Sequence, residues 1–432
     1  MAKAKTIGIG LMGIGVIGAG VAKVLLGKED KLAKEAGARL VIRRVLETDT
    51  RKYGSLGIEH GLFSSNFADV VGNEEIDIVI ELIGGEHPAL EFISEALKAG
   101  KHVVTANKEV LAKHGYDLIA LARKHKVGLR YEASVGGGIP LIAPFLQDLV
   151  ANDILAIHAI VNGTTNYILT MMAQEGLDFS VALEQAQKMG YAEANPSNDI
   201  EGLDAAYKLA ILTTIAFGAD VKPENIHYEG IAKLQARDFR YAKELGYAIK
   251  LLAIAKRSKQ SIEARVHPVF IPEDSLLAKV NGVYNAIDVE GDLVGKVIFY
   301  GQGAGPLPTS SAVVADVINI AQSISRGLES IPKLPFIDKQ TIKPMDDIET
   351  RYYVRLNVVD QAGVLAQISK ILGDNSISIS SVIQKESDPS TQTAEIVIMT
   401  HTAREKAVQK ALRDTEHLSV VKEISNFVRV EV

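Results

Sequence analysis

The chain has 432 residues, of which 47% are apolar and 23% charged, and a formal net charge of −6. That is a soluble globular composition too long for one ordinary core, so roughly two to four domains are expected, and the acidic balance gives no electrostatic case for a nucleic-acid partner. Cysteine is absent, which excludes disulfides, thiolate metal sites and aldehyde oxidation through a cysteine-bound intermediate.

No apolar run reaches the ~18 residues of a membrane span, and the opening MAKAKTIGIGLMG enters a strand pattern without a cleavable signal, so no membrane partner and a cytoplasmic location are expected. Residues 6–11 form a short apolar run, followed at once by Gly13, Ile14, Gly15, Val16, Ile17 and Gly18, with Val21, Val24 and Leu25 continuing at helical spacing. Strand, GxGxxG turn and helix in that order are the context of a dinucleotide fingerprint, in which glycines permit close backbone approach and the helix N-terminus faces a pyrophosphate.

A second strand at 40–46 leads into Glu47, an acid placed to accept from the ribose 2′-hydroxyl of NAD. It lies further from Gly18 than the usual ~20 residues, because a charged insertion at 28–37 lengthens the unit. Arg43, Arg44, Arg51 and Lys52 flank it; an arginine near this position favours the 2′-phosphate of NADP, so both cofactors stay open, with a lean towards NAD.

The strand at 76–83 ends in Gly84 and Gly85, which are either a plain turn or a close approach to cofactor at a strand's carboxyl end. A helix at 88–99 and a strand at 101–105 lead to Thr105-Ala106-Asn107-Lys108, where Lys108 is either a solvated loop lysine or a charge reaching nicotinamide or substrate. The strand at 127–133 runs into Ser134-Val135-Gly136-Gly137-Gly138-Ile139-Pro140. These glycines are a hinge between domains or, with Glu132, a set of oxygen ligands for a hard cation.

A second sheet is predicted from 154–161, 248–255, 261–266 and 294–299, with His158 a structural histidine. No HExxH or histidine cluster indicates a transition metal. Residues 186–208, AQKMGYAEANPSNDIEGLDAAYK, crowd Glu193, Asp199, Glu201, Asp204 and Lys208 together. A helix is predicted from about Leu203, which places Asp204 and Lys208 one turn apart, either as a surface ion pair or as part of a reactive cluster. A second glycine-rich loop, 300–309, precedes a helix at 310–325, and the proline-bearing stretch 327–350 reads as a linker. The last eighty or so residues alternate between period 2 and period 3.6 in the order βαββαβ, a ferredoxin-like unit that stands apart from what precedes it.

The stretch 186–208 resembles the signature of homoserine dehydrogenases at Ala186, Gly190, Tyr191, Asn195, Pro196, Asp199, Gly202, Asp204 and Lys208. The blocks GLMGIGVIGAGV, TANK, YEASVGGGIP, VNGTTNYIL and GQGAGPLPTSSAV resemble other parts of that family in the same order, and Asp360-Gln361-Ala362-Gly363-Val364-Leu365 looks like an ACT domain, a module that binds amino acids. The resemblance implies reversible, NAD- or NADP-dependent hydride transfer between homoserine and aspartate 4-semialdehyde, in the biosynthesis of threonine, methionine and isoleucine. It assigns Lys208 as general acid or base, Asp204 to hold it, and Lys108 to the active site. Glu193, Asp199 and Gly190 would serve the substrate, and Gly13, Gly15, Val16, Ile17, Gly18, Glu47, Gly84, Lys108 and Gly305 the cofactor. A sodium ion is implied at Glu132, Val135, Gly137 and Ile139, and an amino-acid effector at Asp360, Gly363, Val364 and Leu365. Thr48 stands where many family members carry an arginine, which puts NADP specificity in doubt.

The expected architecture is α/β. It comprises a Rossmann-type domain at 1–134 with a return segment at 306–326, a central α+β catalytic and dimerisation domain with an open sheet at 135–305, the linker at 327–350, and a ferredoxin-like ACT domain at 351–432. A homodimer or homotetramer is expected; the competing reading is a catalytically inactive, nucleotide-bound amino-acid sensor.

Overall fold

The computed structural model describes residues 5–49, 51, 56–258, 261–332, 340–388 and 390–431. Lys52, residues 333–339 of the expected linker and Val432 at the end of the last expected strand lie outside the described residues.

In chain order the elements begin β1 (Thr6–Met12), α1 (Val16–Gly27), α2 (Glu29–Ala36), β2 (Arg39–Leu46), β3 (Phe63–Ser64), α3 (Ala68–Val71), β4 (Ile78–Glu81), α4 (Ala89–Lys98), β5 (His102–Thr105), α5 (Lys108–Lys124), β6 (Leu129–Arg130) and α6 (Ile142–Gln147). Next come β7 (Ile154–Ile160), α7 (Gly163–Glu175), α8 (Phe179–Lys188), α9 (Ser197–Ile200), α10 (Leu203–Phe217), β8 (His227–Tyr228), α11 (Ala236–Glu244), β9 (Tyr247–Arg257), β10 (Ser261–Pro272), β11 (Tyr284–Gly291), β12 (Gly295–Gln302) and α12 (Pro306–Ser325). The chain closes with β13 (Thr341–Ile342), β14 (Glu349–Val359), α13 (Val364–Asp374), β15 (Ile379–Asp388), β16 (Thr393–Thr400), β17 (Ala403–Arg404), α14 (Glu405–Glu416) and β18 (Val421–Val430). They fall into two compact units. One comprises Met1–Leu155, Tyr207–Asn225 and Val289–Lys339, the other Ala156–Ala206, Ile226–Asp288 and Gln340–Val432.

The first unit is built on a parallel sheet in the order β3-β2-β1-β4-β5-β6, whose direction of winding reverses between β1 and β4. Its strands are covered on both faces, which is why they read as unbroken apolar runs; Ile7, Ile9, Leu11, Ile78 and Ile80 are fully buried. The charged insertion after α1 is the helix α2, which ends at Gly37 with φ +69°. Helix α12 packs back on α1 so closely that a Cβ at Gly20 would stand 2.5 Å from the Ser310 hydroxyl, and Val313, Val317 and Ile320 join the core with Ile7, Ile9 and Val21. The strand expected over 127–133 is shorter: β6 stops at Arg130, and Glu132–Ser134 is a 3₁₀ turn.

In the second unit a sheet runs in the order β7-β9-β10-β18-β14-β16-β15. Its last four strands, β18-β14-β16-β15, with α13 and α14, are the βαββαβ unit read from the sequence. Tyr352, Val354, Leu356 and Val358 of β14 face Val364, Ile368, Leu372, Val408 and Ala411 in one core. This module does not stand apart: β18 pairs in parallel with β10 at Val269↔Arg429 and Phe270↔Val430. Thr341 and Ile342, inside the expected linker, pair with Ser261 and Ile262.

The other face of β14 carries charge, as a period of two requires. Arg355 is fully buried and donates to Asp238 at 2.8 Å, Glu395 at 3.0 Å and Gln235 at 2.9 Å, while Tyr353 donates to Asp238 at 3.0 Å and Asn426 to Asp238 at 2.6 Å. Burial opposes the Arg355 charge, but its hydrogen bond to Asp238 wins and holds its pKa above the ordinary arginine value. Among the described residues no helix is long and apolar enough to cross a membrane.

Removing one member of a buried ion network strands its partners, so Arg355→Met is expected to lower the unfolding free energy by about 3–5 kcal/mol, read from the denaturant midpoint at unchanged m-value.

Candidate functional site

The glycine-rich turn after β1 has the shape its spacing predicts. Gly13 takes φ +90°, a Cβ at Gly18 would stand 2.0 Å from the Gly13 carbonyl oxygen, and one at Gly15 would meet nothing within 4 Å. Two of the three glycines are thus needed to close the turn, and the third borders open space at the N-terminus of α1, where Val16 and Ile17 begin the helix. This arrangement fits a dinucleotide pyrophosphate.

Glu47, immediately after β2, is buried. Its Oε2 accepts the Ile14 N–H at 3.0 Å and its Oε1 the Asp49 N–H at 3.0 Å, so the carboxylate braces the turn it was expected to accompany. The nearby arginines are engaged: Arg44 donates to the Gly61 carbonyl at 2.8 Å, Arg51 pairs with Asp49 at 2.8 Å, and Arg43 lies 3.8 Å from Glu75.

A second brace went unnoticed in the sequence. The fully buried Glu81, at the end of β4, accepts from the Ile83 N–H at 2.8 Å and the Thr105 hydroxyl at 2.6 Å. Asn107 caps α5 through the Val110 N–H at 3.1 Å and donates to the Gly85 carbonyl at 2.7 Å. These bonds tie the Gly84-Gly85 turn to the turn that delivers Lys108, the first residue of α5. Gly84 and Gly85 both have positive φ, +81° and +72°. Further along α5, Lys113 sits between Glu86 at 2.6 Å and Glu109 at 2.7 Å, 5.8 Å from the Tyr207 ring. Hydrogen bonds from His114 and Lys113 hold the Glu86 carboxyl down at about 2.

Glu132 is the third brace. Its carboxylate accepts the N–H groups of Leu141 at 2.5 Å, Ile142 at 2.8 Å and Ala143 at 2.8 Å, so its side chain closes the open N-terminus of α6. The loop it encloses is buried at Val135, Gly136, Gly137 and Ile139. Among the described residues no hydrogen bond ends on the carbonyl oxygens of Val135, Gly137 or Ile139. A Cβ at Gly137 would stand 2.5 Å from the Gly303 carbonyl, and Gly138 N–H donates to Gln302 at 3.3 Å, so the two glycine-rich loops nest; Gly305, φ +122°, starts α12 from there. No group of three or more His, Asp or Glu side chains placed to hold a metal occurs among the described residues.

In the second unit the acids of the signature gather around Asn162, a residue of the VNGTTNYIL block. Asn162, at the junction of β7 and α7, caps α7 through the Thr165 N–H at 2.8 Å. Its amide nitrogen donates to Asp199 at 2.6 Å and to Asp204 at 2.8 Å. Asn before Gly-Thr-Thr at a strand–helix junction is a capping signal, but its reach to acids 37 and 42 residues on is not a local pattern. Gly190 takes φ +75° after α8, and the Tyr191 carbonyl accepts from the Thr164 hydroxyl at 2.6 Å. Glu193 is exposed, its backbone carbonyl accepting from the Gln187 amide at 3.1 Å. Asp204 is buried, and Lys208, one turn further along α10, is half-buried. His158 lies 3.6 Å from Glu431, a structural position as expected.

A doubly wound sheet with its glycine-rich turn at the point where the winding reverses is the architecture of a dinucleotide-binding domain. Residues 13–132 match the family model "Homoserine dehydrogenase, NAD binding domain", residues 140–318 the model "Homoserine dehydrogenase" and residues 352–417 the model "ACT domain". The homoserine dehydrogenase of Helicobacter pylori is 44% identical over 99% of both chains. The crystal structure of a homoserine dehydrogenase from Thiobacillus denitrificans superposes with a TM-score of 0.93 at 43% identity, covering 99% of this chain and 98% of that one. A hyperthermophilic archaeal homoserine dehydrogenase in complex with NADPH matches with a TM-score of 0.64 at 26% identity, covering 76% of this chain and 99% of that one. The chain belongs to the homoserine dehydrogenase family, with a C-terminal ACT domain. Its activity is reversible, NAD(P)-dependent hydride transfer between homoserine and aspartate 4-semialdehyde, and an inactive sensor is not favoured.

One titration is set by this frame. Burial pushes the Asp316 carboxyl, which accepts the Glu132 N–H at 2.8 Å, up to about 7 from 3.8. A folded-state pKa above the unfolded one means the folded chain binds that proton more tightly, so its contribution is full below about 3.8 and lost as pH rises to about 7. Asp316→Asn is expected to flatten the loss of thermal stability between about pH 4 and pH 7, measured by Tm against pH.

Proposed function

We propose that Lys208 moves the proton in this reaction, as general acid towards the aldehyde oxygen and general base towards the alcohol. The observation that carries this reading is the Asn162 amide, which gathers Asp199 and Asp204 at the start of the helix bearing Lys208. Asp204, held from one side by Asn162, orients Lys208 and favours its charged form, while partial burial opposes that charge. Glu193 takes the substrate ammonium, and Asp199 and Gly190 shape the pocket. Lys108, presented by the braced Gly84-Gly85 and Thr105-Asn107 turns, completes the active site. The bound dinucleotide supplies the acceptor or donor of hydride, against Gly13, Gly15, Val16, Ile17, Gly18, Gly84 and Gly305.

Several finer assignments belong to the same reading. The domain division at 1–134 with 306–326, 135–305, 327–350 and 351–432 is retained, supported by the packing of α12 on α1. A sodium ion held by Glu132 and the backbone carbonyls of Val135, Gly137 and Ile139 is supported by three carbonyls that accept no hydrogen bond among the described residues, which a hard cation would satisfy. An assembly of at least two chains is supported by the exposed Leu293, Val294, Tyr300 and Leu307. An amino-acid effector, threonine first and methionine second, is assigned to the turn at Asp360, Gly363, Val364 and Leu365, where Gly363 opens α13 with φ +87°.

Mixing the protein with homoserine and NAD or NADP, and following reduced nicotinamide with and without threonine or methionine, tests the activity, the cofactor preference and the effector together. Lys208→Ala is expected to lower kcat roughly 10²–10⁴-fold with cofactor affinity unchanged; turnover within a few-fold of wild type would remove Lys208 from this role. A carboxylate at Glu47 repels a 2′-phosphate and accepts from a 2′-hydroxyl, so Glu47→Gln is expected to shift the ratio of kcat/KM values from NAD towards NADP.

A further inference from the structure

Between the last strand of the ACT module and the back of the signature turn lies a cavity of about 280 Å³, bounded by Glu201, Glu229, Lys233, Leu234, Pro268 and Phe427 among others. It is smaller than the ~300 Å³ at which pockets for drug-sized ligands begin, and is of a size for a metabolite of a few heavy atoms. One end is acidic: Glu201 is exposed, and the two contacts of the Glu229 carboxylate, to His227 at 2.7 Å and Arg429 at 2.9 Å, both fall on Oε1, which leaves Oε2 its acceptor capacity. Lys233 brings an exposed ammonium, and Leu234, Pro268 and Phe427 supply an apolar wall. An acidic end, one cation and a short apolar wall match an ammonium, a carboxylate and an aliphatic side chain on one small molecule. A dicarboxylate would face Glu201 and Glu229 with like charge, and a hydrocarbon would answer neither the Lys233 ammonium nor the open Oε2 of Glu229.

We propose that this cavity binds a short aliphatic α-amino acid, at a site that shares no residue with the turn at Asp360 to Leu365 or with the assigned substrate residues, and that its occupant is felt at the active site. The route is steric and short. A Cβ at Gly230 would stand 2.2 Å from the Ile200 carbonyl oxygen, the Ile231 N–H donates to that same oxygen at 2.9 Å, and a Cβ at Gly202 would stand 3.1 Å from the Glu229 carbonyl oxygen. The segment that walls the cavity is therefore pressed, backbone to backbone, on the turn that carries Asp199 and leads into Asp204. Arg429 of β18 grips the same segment through Glu229, so the ACT module reaches that turn without the occupancy of its own helix-start site.

The test uses the full-length enzyme and L-norvaline as probe, with butylamine and butyrate as single-charge controls, followed by calorimetry and by the KM for homoserine. The expected result is saturable norvaline binding that weakens at least about tenfold in Lys233→Glu, with each control binding at least about tenfold more weakly than norvaline. Glu193→Gln and Asp360→Asn should leave this binding unchanged, and norvaline should shift the homoserine KM in wild type but not in Lys233→Glu. Absence of saturable binding up to about 10 mM, binding indifferent to Lys233→Glu, binding lost instead in Glu193→Gln or Asp360→Asn, or binding that leaves the homoserine KM unmoved would each overturn the proposal. All three variants are judged only after their melting temperatures match wild type.

Discussion

One side-chain amide keeps two carboxylates together in the second unit. A primary amide has two N–H donors, and Asn162 commits its nitrogen to Asp199 and Asp204 while its oxygen caps α7. Because Asn162 follows directly on β7, whose register against β9 pairs Ile157 with Ala255 and Ala159 with Ala253, the position of the acids is inherited from the sheet.

The first unit uses the same chemistry in another form. Glu47, Glu81 and Glu132 each follow or end a strand of the parallel sheet, and each turns its carboxylate onto backbone N–H groups of a neighbouring loop. Carboxylates accepting from backbone N–H groups make charge-assisted bonds stronger than neutral ones. The three loops that border the dinucleotide end of the sheet are therefore shaped from within, which reduces the ordering that a ligand must impose.

These glutamates also mark where the sequence is hard to read. An acid at a strand's carboxyl end, such as Glu47 or Glu132, is visible as such; which loop its carboxylate braces depends on the fold of residues up to 33 positions away. Glycines were more legible, because Gly13 and Gly18 answer a steric demand local to one turn. The βαββαβ order was legible for a similar reason, since alternation in β14 and the 3.6-residue period in α13 each report a single buried face. The bonding of Asn162, the Arg355 network and the β10–β18 pairing were not, because each joins segments distant in the chain and leaves no periodic trace in either.

That last pairing changes what kind of object the C-terminal module is. A domain on a tether can be lost by truncation with little harm to its neighbour, but β18 lies against β10, and Arg265 beneath it is neutralised by Glu431 at 2.9 Å as well as by Glu263. Cutting the chain before β14 would remove the two-residue pairing of β10 with β18 and strip one counter-ion from a buried guanidinium. The module therefore supplies strand pairing and charge balance to the sheet it adjoins, and its removal would act on the fold of its neighbour as well as on whatever it binds.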